Sequence, residues 1–358
     1  MRRIFCIVSI MLLLGVTSCS KQVHDTYLFG AVLPLTGGTA FYGQYAQQGI
    51  DAAIEDINVA GGINGRPVKI IYEDSASDKL KATAAGIKLI TVDNVNALFT
   101  ITTPMAGALA PLAEENKVPF IYGSSSNSFA VNKTFVFKDY PDFSDACQLI
   151  VRKAVLEGHK KIALFGTHAE FTQLCKQGAD HVTNLTRFEV YDVGQTDFRT
   201  QFTKIQSSGS TAIVLSVFAG DCPQAFKQVR ELELNVTLLL PGKSFTCGTD
   251  ELTKANTDLL RGALGADVAI KENNPLFVSF KRRLEQRNQT TYFRGSGMMY
   301  DSVMTMAKAY ENCGKDTHCV VYHLRNMDFA GVTGRIRYNN DTIVERELVL
   351  TTDTHTTG

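Results

Sequence analysis

The chain carries no surplus of either charge: 36 lysines and arginines stand against 36 aspartates and glutamates, and no basic run appears. A nucleic-acid partner is excluded on that ground, because phosphate binding needs a positive surface. Beyond the first 14 residues no apolar run has the length of a membrane span. Catalytic signatures are missing too. There is no G-x-S-x-G elbow to expose a serine nucleophile and no H-E-x-x-H zinc helix. Gly242-Lys243-Ser244 looks like the end of a phosphate loop, but Thr237 stands where that loop needs its first glycine. His168 near Glu170 is an acid–base pair in principle, and reads more simply as solvated surface. The absence of CxxC, with histidines scattered along the chain, argues against metal ligation. These absences leave no enzyme, no cofactor and no metal to expect.

The amino terminus reads as a targeting segment, residues 1–19. Arg2 and Arg3 give a positive start, Ile4 to Leu14 an apolar core, and Val16-Thr17-Ser18-Cys19 a small-residue cleavage site. The last four residues resemble a bacterial lipobox, in which Cys19 is lipidated; an ordinary signal peptide is the plainer alternative. The chain beyond Cys19 is longer than one core usually organises, so two lobes are expected. Six further cysteines fit an exported chain: Cys147, Cys175, Cys222, Cys247, Cys313 and Cys319. Cys313 and Cys319 flank a short loop and form the best candidate bridge. Cys222 with Cys247 is the second, both lying just past expected strands. Buried free thiols are the alternative for each pair.

The organising stretch is Tyr27 to Asp74. An apolar strand from Tyr27 to Leu35 breaks at Pro34-Leu35-Thr36-Gly37-Gly38. Ala46, Ile50, Ala53, Ile54 and Ile57 then recur at three- and four-residue spacing and predict a helix with one apolar face. Gly61 stops it, and Val68 to Glu73 completes a βαβ unit. The loop after the first strand lies where α/β sheets present ligands, beside a helix N-terminus. It is no phosphate cradle: Gly37, Gly38 and Gly43 lack the dinucleotide spacing, and no Lys-Ser/Thr follows Gly43.

Taken together, Pro34-Leu35-Thr36-Gly37, Ala40-Phe41-Tyr42-Gly43, Gly49-Ile50-Asp51-Ala52-Ala53, Asp56-Ile57-Asn58 and Ala60 to Gly65 resemble the leucine/isoleucine/valine-binding protein family. These are type I periplasmic solute-binding proteins of ABC transporters. The resemblance implies an α/β fold of two Rossmann-like parallel-sheet lobes joined by a multi-strand hinge. It places residues 23–138 and about 269–328 in one lobe, and 139–268 and about 329–358 in the other.

Downstream, the α/β alternation agrees. Helices are expected over 78–92 and 104–116 with strands at 97–101 and 119–122, and Lys133 to Pro141 connects to a second lobe. There, strands at 162–165, 188–193, 212–218 and 237–240 alternate with helices, arguing for a second open parallel sheet. Helices over 275–287, 297–312 and 320–327 come next, and Gly331 to Leu350 reads as two β segments around a turn at Asn339-Asn340-Asp341.

By residue-for-residue match, the resemblance implies that Thr103, Ser124 (through its backbone) and Ser126 hold a ligand carboxylate and that Tyr42 packs on the ligand. Phe171 stands near a position that is commonly Tyr in the family, so the aromatic wall survives without its hydroxyl. Asp221 either meets a ligand ammonium or caps the next helix. Lys243 stands where relatives often carry an acid; it is either a partner for a second anionic group or a solvated surface charge. The implied function is an extracytoplasmic, lipid-anchored receptor of an ABC importer. It would take a small amino acid or related amide or carboxylate, act as a monomer, and dock on a permease and its ATPase. A sensory module with the same clamshell, reporting ligand to a signalling partner, is the alternative.

Overall fold

A computed structural model describes residues 26–242, 247, 255–289 and 292–351. The segment expected to be a targeting signal, with Cys19, lies outside the described residues, as does Lys243.

The first sheet is built by β1 (Tyr27–Leu33), β2 (Val68–Asp74), β3 (Ala97–Ile101), β4 (Phe120–Gly123) and β5 (Val136–Lys138), in the order β2-β1-β3-β4-β5. Every pairing is parallel. Helices α1 (Ala40–Val59), α2 (Lys79–Thr91) and α3 (Thr103–Glu115) make the crossovers. Because helices cover both faces, β3 and β4 are buried throughout rather than alternating. Alternate residues of β1 serve opposite cores: Phe29, Ala31 and Leu33 pack with α1, and Val32 packs with α2 and α3.

The second sheet comes after α4 (Phe143–Leu156). It contains β6 (Ile162–Thr167), β7 (Arg187–Tyr191), β8 (Ala212–Ser216), β9 (Thr237–Pro241) and β10 (Leu264–Val268), crossed by α5 (Glu170–Asp180), α6 (Arg199–Ser207) and α7 (Cys222–Glu231). Three helices come next, α8 (Pro275–Gln286), α9 (Phe293–Cys313) and α10 (Thr317–Arg325). Three short strands are the last elements among the described residues, β11 (Phe329–Gly331), β12 (Gly334–Ile336) and β13 (Leu348–Thr351). The second sheet runs β13-β10-β9-β8-β6-β7. It is not wholly parallel, since β13 pairs antiparallel with β10.

Helix α9 returns to the first sheet and lies on α1. The approach is close: a Cβ at Gly49 would sit 2.0 Å from the Ser296 carbonyl oxygen, so only glycine fits there. The turn expected at Asn339-Asn340-Asp341 forms: Thr342 N donates to Asn339 O at 3.0 Å, Asn339 N donates to Ile343 O at 2.9 Å, and Tyr338 bridges Val344 in antiparallel sense. A further hairpin that composition did not indicate precedes it, turning at Val332-Thr333 between β11 and β12. The cause is tertiary: the buried Asp301 carboxylate accepts from the backbone N–H of Val332 and of Thr333, each at 2.8 Å. Ile336, Tyr338 and Val344 pack in the core of the first sheet, so the chain rejoins the second sheet only at β13.

Three bridges form. Cys313–Cys319 and Cys222–Cys247 are the pairs expected, and Cys147–Cys175 is a third that no sequence feature indicated, joining α4 to α5.

Candidate functional site

The chain passes between the two sheets three times: Lys138 to Phe143, Val268 to Pro275 and Ile336 to Leu348. Backbone bonds tie the passes together, with Val344 N donating to Lys138 O at 2.9 Å and Ala269 N to Glu347 O at 2.8 Å. Buried charge locks them. Arg346 and Asp139, whose side chains are 2% and 1% exposed, pair at 2.6 Å. The Arg346 guanidinium also donates to Thr333 Oγ1 at 2.8 Å, and the second Asp139 oxygen accepts from Ser302 Oγ at 2.5 Å. Burial pushes the neighbouring Asp301 carboxyl up to about 6, against the Thr333 hydroxyl bond and the Arg346 charge.

Lys138 is wholly buried and donates to the Tyr140 carbonyl oxygen. Burial pushes its ammonium down to about 7 from an ordinary 10.5, against the opposing pull of Asp142, Asp145 and Asp139. Below about 7 the fold carries the full cost of that depressed group. As pH rises from 7 toward 10.5 the cost fades, at ~1.4 kcal/mol per unit. Lys138→Met is therefore expected to stabilise the protein, and by more at pH 6 than at pH 9. Denaturant unfolding at both values checks this; an equal change at the two, or a loss at pH 6, contradicts it.

Above these passes the carboxyl edges of both sheets face a common cleft. On the first sheet, Asp74 at the end of β2 holds the loop after β1. It accepts from Leu35 N (2.9 Å), Thr36 N (3.2 Å), Thr36 Oγ1 (2.6 Å) and Ala76 N (2.7 Å). Slight burial raises its pKa, but those four bonds prevail and hold the carboxyl below its usual range. The loop after β3 is strained: Thr102, a β-branched residue, sits at φ 73°. That conformation is the N-cap of α3, which begins at Thr103 at the carboxyl end of β3. After β4, Ser124 is buried and its hydroxyl finds no hydrogen-bond partner among the described residues. Ser126 Oγ lies 2.8 Å from Ser128 Oγ. A small cavity opens beside Ser124, lined also by Tyr45, Asp139, Tyr140, Met298 and Met299.

Aromatic rings close the cleft from both sides. Tyr42, at the tip of α1, is buried and accepts a hydrogen bond from Ala219 N of the second-sheet unit at 3.3 Å. Burial pushes the Tyr42 phenol well up; the Ala219 bond opposes this and the Asp221 charge adds to it. Its ring lies 6.2 Å from Phe218, Phe218 lies 5.1 Å from Phe171, and Phe171 lies 5.6 Å from Phe143. Asp221 stands at the start of α7 without capping it. Instead its Oδ2 accepts from Tyr191 OH at 2.6 Å. Burial raises the Asp221 pKa, against the Tyr191 bond.

Tyr42, Phe218 and Phe171 thus form one chain of rings, with the Asp221 charge acting on Tyr42, while Ser124 shares its cavity with Tyr45. Sequence reasoning missed Tyr45, Tyr292 and Phe218. Tyr45 stands three residues from Tyr42 on the same helix face, a signal that was available. Tyr292, 5.0 Å from Tyr45, precedes α9 and meets it only through the fold.

The family model for periplasmic binding proteins matches residues 26–352. Among curated relatives, the leucine-, isoleucine-, valine-, threonine- and alanine-binding protein of Pseudomonas aeruginosa is 23% identical over 346 residues, covering 92% of this chain and 90% of that one. An amino acid binding protein of the same organism is 25% identical, covering 84% and 82%. Among solved structures, a branched-chain amino acid transporter substrate binding protein of Streptococcus pneumoniae, in complex with isoleucine, superposes with a TM-score of 0.82 at 20% identity, covering 92% and 97%. An ABC-transporter solute-binding protein of R. palustris, in complex with benzoate, gives 0.81 at 16%, covering 91% and 92%.

Proposed function

The chain belongs to the periplasmic binding protein family, and from that premise we propose that it is the extracytoplasmic receptor of an ABC importer, closing two lobes on a small amino acid or related amide or carboxylate. Residues 23–138 with about 269–328 form one lobe and 139–268 with the end of the chain the other, the β11–β12 hairpin packing with the first. One observation carries the reading: Tyr42 reaches across the cleft to Ala219, between hydroxyl-bearing loops on one side and Phe171, Phe218 and Asp221 on the other. A ligand enclosed there would set its carboxylate on the α3 N-terminus with Thr103 and Ser124, its apolar part against the rings, and an ammonium on Asp221. Ser126 supports that loop through Ser128. Lipidation at Cys19 would tether the receptor to a bacterial membrane, facing the periplasm or the outside. The permease and ATPase would meet it as a closed monomer. The ligands of these relatives and neighbours, namely leucine, isoleucine, valine, threonine, alanine and benzoate, set the panel to try.

A thermal-melt screen over amino acids, their amides and small carboxylates tests the proposal. At hundredfold excess over its dissociation constant a true ligand adds ~2.7 kcal/mol of apparent stability. At least one panel member is expected to raise the melting temperature; silence across the panel with folded protein argues against the reading.

A further inference from the structure

The three bridges differ in accessibility. Cys147, Cys175, Cys222 and Cys247 are wholly buried, whereas Cys313 and Cys319 are partly exposed. The exposed pair also closes the shortest loop, its cysteines six residues apart against 25 and 28. It therefore constrains the unfolded chain least, and can open with the least loss to the fold. Cys313 ends α9, while Cys319 lies in the first turn of α10 with His323 one helical turn further on, so Cys319 and His323 share a face. The two sulfurs and a ring nitrogen of His323 all lie within 4.8 Å of one another. Two thiolates and an imidazole at that spacing, donated by two helices packed in a folded core, are a ligand set for a soft divalent ion. Solvent completes a tetrahedron.

We propose that Cys313, Cys319 and His323 form a redox-gated site for one Zn²⁺ ion, closed while the bridge is intact. Opening is a two-electron reduction. A dithiol gives two thiols on the protein and is itself oxidised to a disulfide, and a phosphine does the same while taking an oxygen from water to become the phosphine oxide. The metal then displaces one proton from each thiol. The site lies far from the cleft: α9 begins beside the cavity at Gly295 and reaches Cys313 at its other end, a helix of 21 residues or about 30 Å. Metal at this end is thus separate from ligand in the cleft, and both can be bound at once.

The test uses the full chain, reduced with a phosphine under argon, with Co²⁺ as the probe and Zn²⁺ as competitor. Alkylation and mass measurement come first, and Cys313 and Cys319 are expected to be the bridge cysteines labelled under native conditions. Reduced protein should then show thiolate-to-cobalt charge transfer and the visible bands of a tetrahedral ion, saturating at one equivalent more than a Cys313→Ser/Cys319→Ser variant. Every other cysteine is common to the two proteins, so the difference isolates the site. Oxidised protein should match the double variant, and His323→Ala should weaken the reduced site by roughly tenfold or more. Circular dichroism of the reduced chain and of each variant separates loss of ligands from loss of fold. The proposal is overturned by equal cobalt uptake in reduced wild type and double variant, by a buried bridge opening first, or by reduction unfolding the chain.

Discussion

Arg346→Met is expected to cost about 3–5 kcal/mol of unfolding free energy at pH 7, because it strands a charge that the fold has taken out of water. The guanidinium contacts Asp139 Oδ1 through Nε at 3.0 Å and Nη2 at 2.6 Å, and steadies Thr333 through Nη1. Asp139 lies on the first passage between sheets and Arg346 on the third, so this pair fastens two of the three connections. Once it is gone, Asp301 loses its balancing positive charge and its carboxyl, already raised to about 6 by burial, rises further. A carboxyl raised in the folded state burdens the fold above its folded pKa and is relieved as pH falls below it. The deficit of the variant should accordingly shrink between pH 7 and pH 5. Urea unfolding at the two values measures it, and Asp139→Asn added to Arg346→Met should recover part of the loss. A single-variant cost below ~1 kcal/mol would mean that the passages are held by backbone pairing alone.

Asp221→Asn should have the largest effect on ligand. If Asp221 meets an ammonium in the closed cleft, removing its charge strands that ammonium at ~3–5 kcal/mol, roughly two to four orders of magnitude in affinity. The fold should scarcely notice. The asparagine oxygen still accepts the Tyr191 hydroxyl, and Asp221 caps no helix. Calorimetry for affinity and a melting curve without ligand separate the two. A loss under tenfold would place the ammonium elsewhere or remove it from the ligand; Lys243→Met is then the informative variant, since Lys243 would answer a second anionic group.

Local features were legible in the sequence. The strand from Tyr27, the apolar helix face through Ile50 and Ile57 and the glycine stop at Gly61 each depend on residues within a few turns of one another. Their order alone places the hydroxyl loops of Thr103 and Ser124 on one sheet edge. The Cys313–Cys319 bridge was readable for the same reason, its cysteines six residues apart. Cys147–Cys175 was not, since nothing in the sequence says which faces of α4 and α5 meet. Asp139 and Arg346 lie 207 positions apart, and neither neighbourhood marks its residue as half of a buried pair. Asn339-Asn340-Asp341 was legible from composition and does turn the chain, whereas the hairpin at Val332-Thr333 was not, because it is set by Asp301 binding the backbone there from α9. Thr102 shows another limit, because its positive φ is imposed on a residue type that disfavours it and leaves no trace in composition.

Small-angle X-ray scattering, with and without the ligand found by melting, tests the central claim most directly. Two lobes joined by three passages should open in the free protein, and a ligand touching both should draw them together by its differential contacts with the two states. The predicted result is a smaller radius of gyration at saturation, with the bound profile matching the arrangement in which Tyr42 meets Ala219. An identical profile with and without ligand would contradict closure around a ligand in this cleft.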